Sequence, residues 1–478
     1  MATPVSSQEV SMPRTIMIFL LFPRFPSVCC QARLTRIPPL MGTLPHRLAG
    51  KMLLGFAFAA QAPAAFGQPA DLGALTLVQA EQLLRSRNRD LQAARRTLEA
   101  AQANTLSASA RPNPTLSLGV GAINPSAGVG SGPWRDKTVD SSIRIDQVIE
   151  RGDRRELRIA SARSLEAASA EDFSETFRQQ RLALRAAYYD LLLTQDKVDI
   201  ARETTLLFEG SLRAAELRLK AGDIARADVA RLRVDALRAQ NDARAAEADR
   251  RRAQLALAYL IGAEARASDV RATDPWPSPA VLEVASVVDD LIELRPDVRA
   301  AKSRVEGAQK ARELARSLRT RDLTVGAQFD HYPIGMGANT NTFGTGNSYG
   351  VFMSIPLFAR YHYEGEIQRS EVDYNAALEA LDKVRAQARA ELSRTLSDLQ
   401  AAAERLRRYD ESLSVEAKRA ADAVEFAYKN GAIGVMDLLD ARRTLRTIQI
   451  DSVTARNDYS KALAAWEAGT RPVEGGEQ

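Results

Sequence analysis

Few side chains in this sequence are equipped for chemistry. Both cysteines, Cys29 and Cys30, stand side by side near the N-terminus, and of three histidines only His331 and His362 lie beyond residue 67. The chain has no GxxxxGK phosphate loop, no HExxH pair and no GxSxG elbow. Carboxylates are spread along every helix-like stretch, so finding two of them close together says nothing about acid–base work. Two of them are nevertheless distinctive in position. Asp437 and Asp440 are three residues apart, which puts both on one face of a helix, and they follow a glycine-centred turn, KNGAIGVMDLLDARR, that begins at Lys429. The same turn occurs earlier as KAGDIARADVARLR from Lys220, with Asp228 inside it.

Charge excludes one class of partner. The whole chain carries 65 Lys/Arg and 60 Asp/Glu, but residues 1–67 hold six of the bases and one of the acids, leaving 59 of each beyond them. The basic excess therefore belongs to the leader, and a nucleic-acid footprint loses its support. From Met41 the leader reads MGTLPHRLAGKMLLGFAFAAQAPAAFG, with basic Arg47 and Lys51, an apolar run from Met52 to Ala60, and small residues Ala65 and Gly67 before Gln68. This pattern predicts an export signal cleaved near Gly67, with Met41 as the true start. Residues 1–40 contain a shorter apolar run, Ile16 to Phe22, too short to span a bilayer. Both cysteines fall in the leader, so the mature chain is expected to have no disulfide, no thiolate metal site and no lipid-bearing cysteine. Beyond residue 67 no segment approaches 18 consecutive apolar residues, so no transmembrane helix is expected.

The paired turns belong to a duplication that runs the length of the chain. NRDLQAARRTLEAAQA from Asn88 matches RPDVRAAKSRVEGAQK from Arg295 at an offset of 207, and Leu116 and Gly119 fall on Leu323 and Gly326 at the same offset. SIRIDQVIERG aligns with FMSIPLFARYH, and Gly222 aligns with Gly431 at an offset of 209. The Pro-rich stretch DPWPSP from Asp274 divides the halves. The expected organisation is a leader (1–67), a first repeat (68–273), a linker (274–280), a second repeat (281–470) and a tail (471–478).

Each half has the same internal order. A helix of about 30 residues comes first, roughly 77–110 and 284–318, with polar and apolar positions interleaved at helical spacing. Two runs of period two follow, forming hairpins at about 115–149 and about 322–358. In the first, Leu116, Leu118, Val120 and Ala122 share a face, and then Val139, Ile143, Ile145 and Ile149 do so together with Ser141 and Gln147. In the second, Leu323, Val325, Ala327 and Phe329 share one, and then Tyr349, Val351, Met353, Ile355 and Leu357. Turn-rich loops, NPSAGVGSGPW and GMGANTNTFGTGN, separate the strands. Each run is about the length that a tilted strand needs to cross a bilayer, although a half-buried strand of a soluble sheet alternates in the same way.

Long helices favour the membrane reading. About 70 residues without proline run from Gly152 to Gly222, and a similar number from Arg360 to Gly431. At helical rise each could extend about 100 Å. Their apolar residues are small, so they must pack on close neighbours, bundle fashion. Gly222 and Gly431 then sit where each helix ends and reverses. Four strands cannot close a membrane barrel, and an open edge in lipid leaves backbone groups without partners. Closure needs further copies of the chain: two would supply eight strands, three would supply twelve and leave a lumen.

From about residue 75 to 470 the chain resembles the TolC-type outer-membrane efflux channels. RPNP at Arg111 and IDQVIERGDRRELRIASA from Ile145 are similar to the metal-exporting branch of that family. The resemblance implies an α+β fold with a long antiparallel α-helical periplasmic barrel and four transmembrane strands per protomer. Three protomers would complete a 12-stranded β-barrel in the cell outer membrane. It implies a passive efflux conduit, not an enzyme, with a homotrimer, a periplasmic membrane-fusion adaptor, an inner-membrane RND-type pump driven by protons and outer-membrane lipid as partners. Heavy-metal cations are the implied cargo, and no cofactor or resident metal is implied. The paired turns resemble the periplasmic tips. In this family aspartates of the second tip line the constriction, and Asp437 and Asp440 fall on those positions; threefold symmetry would make each a ring of three carboxylates. Asp228 and Tyr428 match positions in the gate network. Lys220, Gly222, Ile224, Lys429, Gly431 and Ile433 are the implied adaptor contacts. Where some members carry an arginine in the second tip this chain has Ile433, and Asp223 replaces a hydrophobic residue after the first glycine, so a salt-bridged lock does not carry over there.

Two plainer readings accompany these. The aspartates can be a solvated helix face or N-caps, and the glycines simple helix stops. Trp134, Tyr349, Phe352 and Tyr361 are candidates for an interfacial aromatic belt or for ordinary core. Among conduits, a drug-efflux or type I secretion channel is the alternative, and a periplasmic coiled-coil scaffold the second alternative, although a scaffold leaves four matched strands unexplained.

Overall fold

The computed structural model of the protein describes residues 71–123, 139–279, 288–332 and 346–470. The leader, most of both strand-joining loops with Trp134, and the tail lie outside the described residues. A short 3₁₀ turn opens the described chain, and α1 (Leu77–Arg87) and α2 (Arg89–Ser109) follow. Strands β1 (Thr115–Gly121) and β2 (Asp140–Ile149) come next, then the long helices α3 (Arg154–Ala221) and α4 (Arg226–Leu260). The second half repeats the order with α5 (Val288–Glu293), α6 (Pro296–Ser317), β3 (Leu323–Tyr332) and β4 (Gly346–Ser354). It ends with α7 (Glu364–Arg408), a π-helical turn (Tyr409–Leu413), α8 (Ser414–Lys429) and α9 (Val435–Thr470).

Each of the two 30-residue helices expected at the start of a half is in fact two helices. The apolar pattern runs through both breaks, so periodicity does not show them. In the first half Asn88 leaves the helical conformation and caps α2: its Oδ1 accepts from the Leu91 N–H at 3.0 Å, and its Nδ2 donates to the Leu260 carbonyl at 3.1 Å. In the second half the residue before Pro296 cannot stay helical, and Arg295 is extended (φ −65°, ψ 139°). Arg295 is nevertheless buried, holding Asp297 and Glu391 at 2.8 Å each, and so ties α6 to α7.

All four strands form one antiparallel sheet in the order β1-β2-β3-β4, so the two hairpins abut through β2 and β3. The register places Leu116, Ile145, Ala327 and Val351 in one row, and Leu118, Ile143, Phe329 and Tyr349 in the next. These rows form an apolar face exposed within the protomer; Val351 is 83% accessible. The opposite face carries Thr115, Ser117, Arg144, Asp146, Gln328 and Asp330. Phe352 lies on that polar face, opposite Gly326, so it is not part of an outward aromatic belt with Tyr349. The outer edges of β1 and β4 have no strand partner among the described residues. β4 ends at Ser354, two residues before Pro356, which has no N–H to give the ladder.

Strand passes into helix through the same device in both halves. The residue before α3, Asp153, and the residue before α7, Tyr363, are both left-handed, at φ 55° and 63°. From those caps α3 runs unbroken for 68 residues, whereas the second arm is interrupted by the π-turn at Tyr409–Leu413. Small residues keep the helices close. The largest apolar cluster surrounds Tyr188 on α3 and includes Leu84, Leu184, Leu257 and Ile261. A second joins α7 to α9 through Leu399, Leu406 and Tyr459. No helix among the described residues is long and apolar enough to cross a membrane.

Candidate functional site

Both tips are built by one backbone motif. At the end of α3, Gly222 is left-handed (φ 83°), its N–H bonds to the Leu219 carbonyl at 3.1 Å, and the Asp223 N–H bonds to the Arg218 carbonyl at 2.9 Å. At the end of α8, Gly431 (φ 72°) bonds to Tyr428 at 3.1 Å, and the Ala432 N–H to the Ala427 carbonyl at 2.9 Å. This is the Schellman arrangement, which satisfies the last free carbonyls of a helix and needs a residue tolerant of positive φ. A Cβ on either glycine would meet nothing within 4 Å. Glycine is therefore required here for its conformation and not for space.

The return helices begin alike. Asp228 is the third residue of α4 and Asp437 the third of α9, where unpaired N–H groups favour negative charge. Asp228 lies 3.4 Å from Arg231 one turn on. Asp437 is exposed and has no ion-pair partner among the described residues. Asp440, 69% accessible, lies 3.4 Å from Arg443. Tyr428 lies under the guanidinium of Arg218, 5.2 Å from ring centroid to Cζ, which links α8 to α3. Within a protomer each candidate gate residue thus has its own surroundings, and the four do not meet as one cluster.

The adaptor candidates divide by exposure. Lys220 and Lys429 are exposed, and Lys429 holds Glu425 at 2.9 Å, keeping that carboxyl below its ordinary range. Ile433 is half-buried. Ile224 turns inward against a cluster formed by Phe208, Val229, Leu232 and Leu439. Leu439 comes from α9 and the rest from α3 and α4, so this cluster joins the two tips.

The strongest tip contacts involve residues that the sequence reading passed over. Arg443 on α9 grips Asp235 on α4 with 2.8 Å bonds to both carboxylate oxygens, and Arg446 holds Asp242 at 2.6 Å. Arg442 reaches the Ser211 hydroxyl on α3 and stands 3.6 Å from Glu425 on α8. Asp235, Asp242, Arg443 and Arg446 border a groove of about 400 Å³ between α4 and α9. A signal was available: α4 carries aspartates at 228, 235, 242 and 249, every seven residues, and α9 opposes two of them with ARRTLR. Among the described residues no group of three His, Cys, Asp or Glu is placed to hold a metal ion.

The chain matches the family model described as outer membrane efflux protein over residues 81–263 and again over 287–468, once for each half. It is 25% identical over 386 residues to the cobalt-zinc-cadmium resistance protein CzcC of Cupriavidus metallidurans, covering 78% of this chain and 84% of that one. It is 27% identical over 277 residues to the pyoverdine export outer membrane protein OpmQ of Pseudomonas aeruginosa, covering 56% of each. Among solved structures, that of CusC superposes with a TM-score of 0.69 at 15% identity over 84% of this chain and 92% of that one. VceC from Vibrio cholerae does so with 0.65 at 18% identity over 82% and 95%. The family's trimeric barrel gives the exposed apolar face and the two open edges their complement. The chain belongs to the outer membrane efflux protein family, a channel with its strands in the outer membrane and its helices in the periplasm.

Proposed function

We propose that this channel is the exit duct of a tripartite heavy-metal efflux system. It works as a homotrimer, receives a periplasmic membrane-fusion adaptor at its tips, and discharges cations delivered by a proton-driven inner-membrane pump of the RND type. The observation that carries the metal assignment is the likeness to the cobalt-zinc-cadmium resistance protein over most of both chains. The tip geometry is consistent with it. Asp437 and Asp440 lie exposed on one side of α9 just after the Gly431 turn, and three copies around an axis would line the entrance with carboxylates. Passage is passive, since fixed charges and a path are all the conduit supplies.

Gating in this reading is a matter of how α8 and α9 sit against α3 and α4. Arg218 on Tyr428 and Arg443 on Asp235 hold the second tip to the first within a protomer. Lys220, Lys429 and the turn glycines form the exposed rim for the adaptor. Export of small organic molecules is the second reading, favoured by the similarity to a pyoverdine exporter.

Deleting the gene and measuring growth on zinc, cobalt and cadmium salts tests the cargo. The metal reading expects the minimal inhibitory concentration of at least one salt to fall several-fold and to be restored by the gene on a plasmid. Unchanged metal tolerance together with greater sensitivity to organic compounds would overturn it in favour of the second reading.

A further inference from the structure

We propose that Arg144, Asp146 and Phe352 form an inner girdle that sets the width and charge of the barrel bore. The inference rests on the trimeric barrel, whose lumen is lined by the face opposite the apolar rows. On that face Asp146 stands opposite Gly326, and Gly326 opposite Phe352; in the next row Ser117 stands opposite Arg144, Arg144 opposite Gln328, and Gln328 opposite Gly350.

Side chains on a strand ordinarily stand perpendicular to the sheet, which here would drive an arginine, an aspartate and a phenylalanine from each copy into the lumen. They lie flat instead, because glycines leave a floor for them. A Cβ on Gly326 would collide with Asp146 Oδ1 and crowd the Ile145 carbonyl at 3.2 Å, and one on Gly350 would stand 2.9 Å from the Phe352 ring. Arg144 Nε donates to Asp146 Oδ1 at 2.9 Å, and the guanidinium carbon lies 4.6 Å from the Phe352 ring centroid. Arg144 is on β2 and Phe352 on β4, so the arginine reaches across the whole width of β3. Its charge is spent against Asp146 and the ring face, and its length is laid along the wall.

The electrostatic result differs between neighbouring rows. At the girdle the ion pair is neutral. One row further along the wall, Asp330 has only uncharged partners among the described residues, Gln328 Nε2 at 2.7 Å and Ser348 Oγ at 3.4 Å. A wall with its cation neutralised and this carboxylate without a cationic partner among the described residues favours cations in the bore, and Asp146 is the residue that keeps Arg144 from opposing them.

Cysteine labelling tests this, because the sequence has no cysteine beyond Cys30. Ser117→Cys places a thiol in the girdle row, and Leu118→Cys places one on the apolar face. In outer-membrane vesicles, two thiosulfonate reagents of equal size and opposite charge are applied from outside, and trimer content is read by native mass measurement. Ser117→Cys is expected to react and Leu118→Cys to be protected. Adding Asp146→Asn frees the Arg144 charge and raises the anionic-to-cationic rate ratio about five-fold at low salt, while Arg144→Ala lowers it by a similar factor. All these changes leave the strand backbone intact. A trimer whose ratio moves with neither variant overturns the girdle alone. A chain found only as a monomer overturns the barrel and the girdle with it.

Discussion

Arg443 Nη2 donates to both carboxylate oxygens of Asp235 at 2.8 Å, a contact that crosses from the second repeat to the first. Asp235 is 5% exposed while its partner arginine is about half in solvent. The two ends of the bond are therefore unequal: losing the arginine strands a buried carboxylate, whereas losing the aspartate releases a cation that water can take up. Arg443→Ala is expected to destabilise the tip by about 1–2 kcal/mol, the range for a hydrogen-bonded charge discounted for solvent screening. Asp235→Ala should do less, and the double variant less than the sum. Thermal unfolding of the four proteins gives the cycle; additive losses would show that the pair does not hold the tips together.

Gly222 and Gly431 make a cleaner case, because nothing surrounds the space a side chain would take. Alanine at either site keeps every contact and only forces a left-handed residue, so each substitution is expected to cost about 1 kcal/mol. Asparagine should cost less than alanine and valine more. Hydrogen exchange of the Asp223 and Ala432 amides, whose bonds close the two turns, reads this locally. Equal protection in the alanine and valine variants would mean that conformation is not what the glycines supply.

The contrast between these two features shows what could be read from the chain in advance. Left-handed stops and period-two alternation are local properties, so the paired turns and the four strands were visible in spacing alone. The breaks at Asn88 and Arg295 were hidden because the apolar pattern continues across them; only the cap chemistry of Asn88 and the proline at 296 marks the place. The Arg443–Asp235 bond needs α9 and α4 to be neighbours, which no local window contains, although the seven-residue spacing of aspartates on α4 hinted at a partner. The aromatic character of Phe352 leaves an outward belt and ordinary core equally open, and the ladder decides between the two faces because Phe352 falls in register with Gly326 on the polar one. Nothing in YDESL announces the π-turn at Tyr409–Leu413.

Tyr188 anchors the chain segments that precede α1 and follow α4. Its hydroxyl lies 2.9 Å from the Leu75 carbonyl and 3.0 Å from Asp274 Oδ2, and it accepts from the Thr273 and Asp274 N–H groups at 3.2 and 3.1 Å. Burial pushes its pKa up to about 12 from an ordinary 10. A raised phenol pKa means that the folded state holds its proton over a range where the unfolded chain has lost it, so this contribution is complete below about pH 10 and is lost as pH rises toward about 12. Tyr188→Phe is expected to lower stability at pH 7 by about 1–3 kcal/mol, chiefly through the Asp274 N–H left without its acceptor, since the Leu75 carbonyl keeps the Thr273 N–H, and to flatten the loss between pH 10 and 12. A variant with the same alkaline slope as the parent would assign that slope to other groups.

Asp437 and Asp440 should not contribute equally if the tip repels anions and holds cations. Asp440 shares Arg443 with Asp235 at 3.4 Å, and Asp437 has no cation near it among the described residues. In a ring of three, the uncompensated carboxylate binds a divalent cation more firmly than the compensated one, because each neighbouring guanidinium offsets part of the field. Asp437→Ala is therefore expected to weaken block of single-channel current by a divalent cation by a larger factor than Asp440→Ala, with about ten-fold against about three-fold as the scale of the difference. Arg443→Ala, by freeing Asp440, should strengthen block or leave it unchanged in a channel that still closes. Equal effects of the two alanine variants would mean that Arg443 does not screen the ring, and no effect of either would remove both aspartates from the conduction path.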